Sequence, residues 1–228
     1  FPLGGRQWDG EMAELWVTEP GPARLITRYR DIPTTLATGS RNGDVTAELV
    51  YVGRGDAEAD YAGKDVKGKI VLVSGPVGAA HTLAVGRFGA EGVVSFFNGT
   101  GKPIDRPDQI GWSGIGGRGG APSGGAAPRV TWGFILSHRM GMDLLAMLER
   151  HQTVRVHAIV KAAEYDAPMN VVVATIPGDG STNEEFHFTA HLFEGIAKQG
   201  ANDNCGGPAT QKEALNLVRQ AYARERLD

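Results

Sequence analysis

Two apolar runs punctuated by glycine limit what this chain can fold into. Lys69-Ile-Val-Leu-Val-Ser74 lies between Gly68 and Gly75, and Val93-Val-Ser-Phe-Phe97 follows Gly92. Both have strand length, and an unbroken apolar run has no polar face to turn to water, so each strand must be covered on both sides. Between them His81-Thr-Leu-Ala-Val-Gly-Arg-Phe-Gly-Ala90 has the composition of a short helix. The order strand, helix, strand predicts an α/β fold.

The flanking sequence extends this pattern. Val45 to Val52 alternates β-branched or aromatic residues with polar ones, as a half-buried strand does, and Gly53-Arg54-Gly55 turns the chain. Glu11 to Tyr29 reads as a short helix or strand, a turn at Pro20-Gly21-Pro22, then a strand. The stretch from Gly111 to Pro128 is rich in glycine and poor in apolar residues, which predicts a long surface loop. Ser137 stands as N-cap to a helix through Met140, Leu144, Leu145 and Leu148, and Val154 to Val160 alternates as the next strand. These elements group residues 45–164 into a β-rich unit with flanking helices, with 1–44 as an N-terminal segment packing on that unit or on the region from 165 onward. From 165 the pattern changes. Asn170 to Ile176 reads as a strand, Pro177 to Gly180 as a turn, and Glu185 to Ala190 as a strand ending in His191. A loop comes next, then a helix with Pro208 in its first turn and Ala214, Leu215, Val218 and Tyr222 on one face.

At 228 residues and 41% hydrophobic content the chain can bury a sizeable core. Its net charge of -3 gives no electrostatic footprint for nucleic acid. No apolar stretch approaches the roughly 20 residues needed to span a bilayer. Cys205 is the single cysteine, which excludes an internal disulfide and a cysteine-built zinc cage.

The chemistry concentrates in residues 191–207. His191 ends the expected strand, and Asp203 lies in a glycine-flanked loop just before the helix. Imidazole nitrogen and carboxylate oxygen are both zinc donors, although a lone strand-end histidine or loop aspartate is more often structural. The context favours the metal reading. Asn170-Val-Val-Val-Ala-Thr-Ile-Pro-Gly178, Phe188-Thr-Ala-His191 and Gly200-Ala-Asn-Asp-Asn204 together resemble the co-catalytic di-zinc aminopeptidase and glutamate carboxypeptidase family. Gly68-Lys-Ile-Val-Leu-Val, Phe88-Gly-Ala-Glu-Gly-Val-Val and Asp143-Leu-Leu resemble the protease-associated domain that some members insert ahead of the catalytic core.

The resemblance implies a mixed-sheet zinc-peptidase domain beginning at 165, two zinc ions in the whole protein, and hydrolysis of peptide bonds by a metal-bridging water. It assigns His191 to one zinc and Asp203 to the bridge between two, with Glu194, Asn202 and Asn204 around them. It favours aminopeptidase activity on peptides and a secreted or extracytoplasmic setting. Two departures stand out. Phe193 occupies the place where the family has an aspartate orienting the histidine ring, and a lost partner of that kind typically costs 10–100-fold in metal affinity or activity. Glu194 is the nearest substitute. The family's glutamate pair, general base and ligand, and its last ligands come later than Asp228. The chain alone is therefore expected to stop before the catalytic core is complete, to be inactive, to hold zinc weakly or not at all, and to dimerise or aggregate through an incomplete sheet. The alternative is a non-catalytic protease-associated module that binds peptide or protein and carries a vestigial metal site.

Other motifs fail their context. His187 and His191, if on one strand, lie roughly 13 Å apart, and His187 reads as structural. Glu184-Glu185 precedes His191 and reads as a solvated turn. Gly114, Gly116 and Gly119 match a dinucleotide-binding pattern without a strand before or a helix after. Ser113 lacks the second glycine of a nucleophile elbow, since Ile115 stands there. Asn98-Gly-Thr100 is a glycosylation acceptor only in a eukaryotic secretory setting. Trp112 and Trp132 flank the glycine-rich stretch as candidates for peptide contact or for packing.

Overall fold

The computed structural model describes residues 2–97, 99, 103–116, 129–150, 153–178, 180–185, 187–191 and 206–225. The chain divides into two compact units, one over Pro2–Asn170 and one from Val171 onward. The first is built on a mixed seven-stranded sheet ordered β2-β1-β7-β3-β4-β5-β6. Its strands are β1 (Pro2–Glu19), β2 (Arg24–Arg28), β3 (Gly43–Tyr51), β4 (Ile70–Val73), β5 (Gly92–Ser95), β6 (Gly133–Ile135) and β7 (Arg155–Asn170). Helices α1 (Val77–Ala84) and α2 (His138–Arg150) complete it. The chain is α/β, as the buried runs require.

β3 to β6 form the parallel half. Ile70 pairs with Leu49 and Gly92, and Val93 with Gly133. β4 is buried along its whole length: Ile70 and Leu72 join a core with α2, while Val71 and Val73 join a second core with α1. One strand thus supplies both cores. Ser137 caps α2, its hydroxyl accepting the Met140 N–H at 3.2 Å. α1 starts earlier than the sequence suggests, at Val77 rather than His81, and stops at Ala84. Pro76 precedes it at φ -60°, and Val77, Ala80 and Ala84 make its buried stripe. Small residues hid that stripe.

β1 and β7 pair antiparallel from Pro2 opposite Asn170 to Glu19 opposite Arg155, and β7 also pairs with β3. Ala13, Leu15 and Val17 are buried alternately on β1, so the strand alternative over Glu11 to Glu19 is the one realised. The residues before Val45 therefore share a sheet with those after it.

Two features fix the packing. The indole of Trp132 lies 1% exposed against two backbones: a Cβ at Gly43 or at Gly92 would sit 2.5 Å from its ring atoms. Buried hydroxyls also join the sheet's two edge strands. Thr27 of β2 donates to Thr35 Oγ1 at 3.0 Å, and Thr35 donates to the Ile135 carbonyl of β6 at 2.9 Å. Beside them the Ala37 N–H donates to Gly133 O at 2.9 Å. Within the glycine-rich stretch, Ile115 is buried and its N–H donates to Thr38 O at 2.8 Å, so this end of the stretch is tied down. Residues 117–128 lie outside the described part.

The second unit departs from expectation. Val171 to Gly178 forms no ladder, and the strand expected over Asn170 to Ile176 is instead the end of β7 followed by exposed chain outside any ladder; Val172 is 76% exposed. The last pair of the β1–β7 ladder is Pro2 with Asn170. No ladder is found among the described residues of Glu185 to Ala190 either. Alternation selects a strand only where a neighbour accepts its backbone groups. Helix α3 (Gly206–Glu225) forms as expected, with Ala214 and Leu215 half-buried.

Thr35→Val keeps the side-chain shape but leaves the Ile135 carbonyl without its buried donor. A loss of about 1–3 kcal/mol in chemical denaturation is expected. Gly92→Ala forces a methyl onto Trp132 and should cost about 1–3 kcal/mol. In a double-mutant cycle that cost should shrink in a Trp132→Phe background, where the ring is smaller.

Candidate functional site

Of the two ligands expected for zinc, His191 lies in the described part and Asp203 does not. Glu194, Asn202 and Asn204 also fall outside the described residues, as do Phe193 and Cys205. His191 is exposed, and the residues just before it, 187–190, are in no strand. Two residues before it, the Thr189 carbonyl accepts a hydrogen bond from Gln211 Nε2 on α3 at 2.8 Å. This bond ties the chain that leaves through His191 to the helix that comes after Asp203. Residues 192–205 lie outside the described part.

A catalytic zinc takes three protein donors and keeps a position open for water. Among the described residues no three histidine, cysteine or acidic side chains come together to hold a metal. The donor types of His191 and Asp203 suit zinc, but two donors do not complete such a site. The described residues by themselves assemble no complete metal site.

The remaining motifs resolve as local structure. His187 Nε2 lies 3.1 Å from Glu185 Oε2, with both side chains more than three-quarters exposed at 77% and 76%. His187 is thus a surface group rather than a packed one, and such a pair contributes about 0–1 kcal/mol. The Glu184 N–H donates to the Thr182 hydroxyl at 3.2 Å in an exposed bend. The Ser113 carbonyl accepts the Thr38 N–H at 3.0 Å, so Ser113 helps fasten the loop. Gly114 bridges to Thr38, and Gly119 lies outside the described residues. The two tryptophans separate: Trp132 is a core residue, whereas Trp112 is 48% exposed. Among the described histidines His81 is buried, a placement that no local sequence signal marks.

No family model matches the sequence, and no curated protein matches it. Solved structures do. A peptidase M28 precursor from Shewanella amazonensis SB2B superposes with a TM-score of 0.53 at 15% identity, covering 74% of this chain and 38% of that one. An aminopeptidase from Aneurinibacillus sp. strain AM-1 gives a TM-score of 0.49 at 25% identity over 73% of this chain and 35% of that one. A zinc aminopeptidase from Bacillus subtilis gives 0.43 at 19% identity, over 72% and 35%. The likeness to the Shewanella protein shows a shared fold. The chain spans well under half the length of each of these proteins.

If the Gln211 bond anchors the chain at Thr189, Gln211→Ala should raise amide exchange at Thr189 to His191 several-fold while leaving β4 protection unchanged. Equal protection in both proteins would mean that the tie carries no load.

Proposed function

We propose that this chain is part of a zinc-dependent exopeptidase, an aminopeptidase, in which Pro2–Asn170 is a protease-associated domain and the residues from Val171 open the catalytic domain. A coincidence of fold and motif order carries this reading. The fold is shared with an M28 peptidase precursor, and the chain after β7 holds Phe188-Thr-Ala-His191 and Gly200-Ala-Asn-Asp-Asn204 in the order of the di-zinc peptidase family. His191 and Asp203 are the proposed ligands, with Asp203 shared between two ions. When bound, zinc would supply an acidified water and a Lewis acid for the scissile carbonyl. The role proposed for this chain is to supply those two donors.

Phe193 favours a second reading, a binding module whose metal site is vestigial, because it removes the carboxylate that would orient the His191 ring. The two separate on activity. Protein purified from its native source should hydrolyse aminoacyl p-nitroanilides, lose that activity to a chelator, and regain it with zinc. Its Asp203→Ala variant should lose at least about 10³-fold in kcat/KM, the loss expected when a nucleophile-generating metal site is broken. Protein that binds peptides but never turns over, with or without zinc, would establish the second reading.

A further inference from the structure

We propose that His81 and Thr131 form a latch that acid releases, freeing the Thr131 amide from α1 while the sheet stays folded. His81 sits on α1 with 2% of its surface exposed. Its Nε2 accepts the backbone N–H of Thr131 at 3.2 Å, with the Thr131 hydroxyl at 3.3 Å. That accepting role requires a neutral ring with its proton on Nδ1. A second proton would have to enter at Nε2, where it would face the Thr131 N–H donor to donor. The bond is then lost, and a charge is left among Val77, Ala80, Ala84 and Val85.

The groups facing the ring reinforce this. Arg129 adds a like charge, and its own guanidinium is held by the Ala90 carbonyl and Glu91 Oε2, both at 2.9 Å. β4, β5 and β6, which pack on α1, carry no ionisable side chain. Tyr61, bonded through its hydroxyl to the Ala80 carbonyl, is held neutral by burial. Arg87, beyond the end of α1, is paired with Glu58. Burial, then Arg129, push the His81 pKa from 6.5 down to about 4. The unfolded or opened chain takes up a proton in that window and the closed form does not, so the latch weakens as pH falls from 6.5 toward 4. Trp132 remains wedged against Gly43 and Gly92, which confines the opening to the residues before it.

Amide exchange followed by NMR between pH 6.5 and 4 tests this directly. Thr131 should lose at least tenfold in protection, after correction for intrinsic rates, while Ile70 to Val73 stay protected. His81→Gln, whose side-chain carbonyl can accept the same N–H, should abolish the pH step. Thr131 and β4 losing protection together, or the same step in His81→Gln, would overturn the latch. The His81 ring nitrogens, followed in the unsubstituted protein, provide a check independent of any variant: titration near the ordinary value of 6.5 would also overturn it.

Discussion

Asn170 lies opposite Pro2, and between those two residues the chain builds an entire sheet before β7 returns to pair with β1. The pairing of β1 with β7 is the longest ladder in the unit and the one with the greatest sequence separation. Closing so long a loop costs entropy that only a well-packed interior can offset. The interior provides it through two cores on the two faces of β4, through the hydroxyl relay joining β2 to β6, and through an indole fitted against two glycines. The same closure delivers the chain at Asn170 into the segment that carries His191.

Much of this was legible because burial on both faces leaves a compositional mark. β4 is an unbroken apolar run, and nothing else that Ile70-Val-Leu-Val73 could do would keep four such residues from water. The N-cap at Ser137 was equally plain, since its chemistry is local. β1 was ambiguous because Glu11-Met-Ala-Glu-Leu-Trp-Val17 satisfies both helical and strand spacing, and its long-range partner β7 decided the matter. The roles of Trp132 and Thr35 could not be read at all. Each depends on residues distant in sequence, Gly43 and Gly92 for the first, Thr27 and Ile135 for the second.

The candidate site shows the opposite balance. His191 and Asp203 stood out only through the order of motifs around them, not through any geometry that the sequence implied. Alternation over Glu185 to Ala190 predicted a strand, but a strand exists only where a neighbour accepts its backbone, and among the described residues none does. What the structure adds is the Gln211 to Thr189 bond, which joins the chain just before His191 to α3. No local sequence signal marks that bond, because its two residues are distant in sequence.

The central claim is that His191 and Asp203 serve one metal centre. Anomalous diffraction at the zinc edge from crystals of the protein purified from its native source measures this most directly. The account predicts a zinc peak about 2.0–2.2 Å from an imidazole nitrogen of His191 and from a carboxylate oxygen of Asp203. A zinc-free crystal grown with excess zinc, or a peak bound away from both residues, would contradict it.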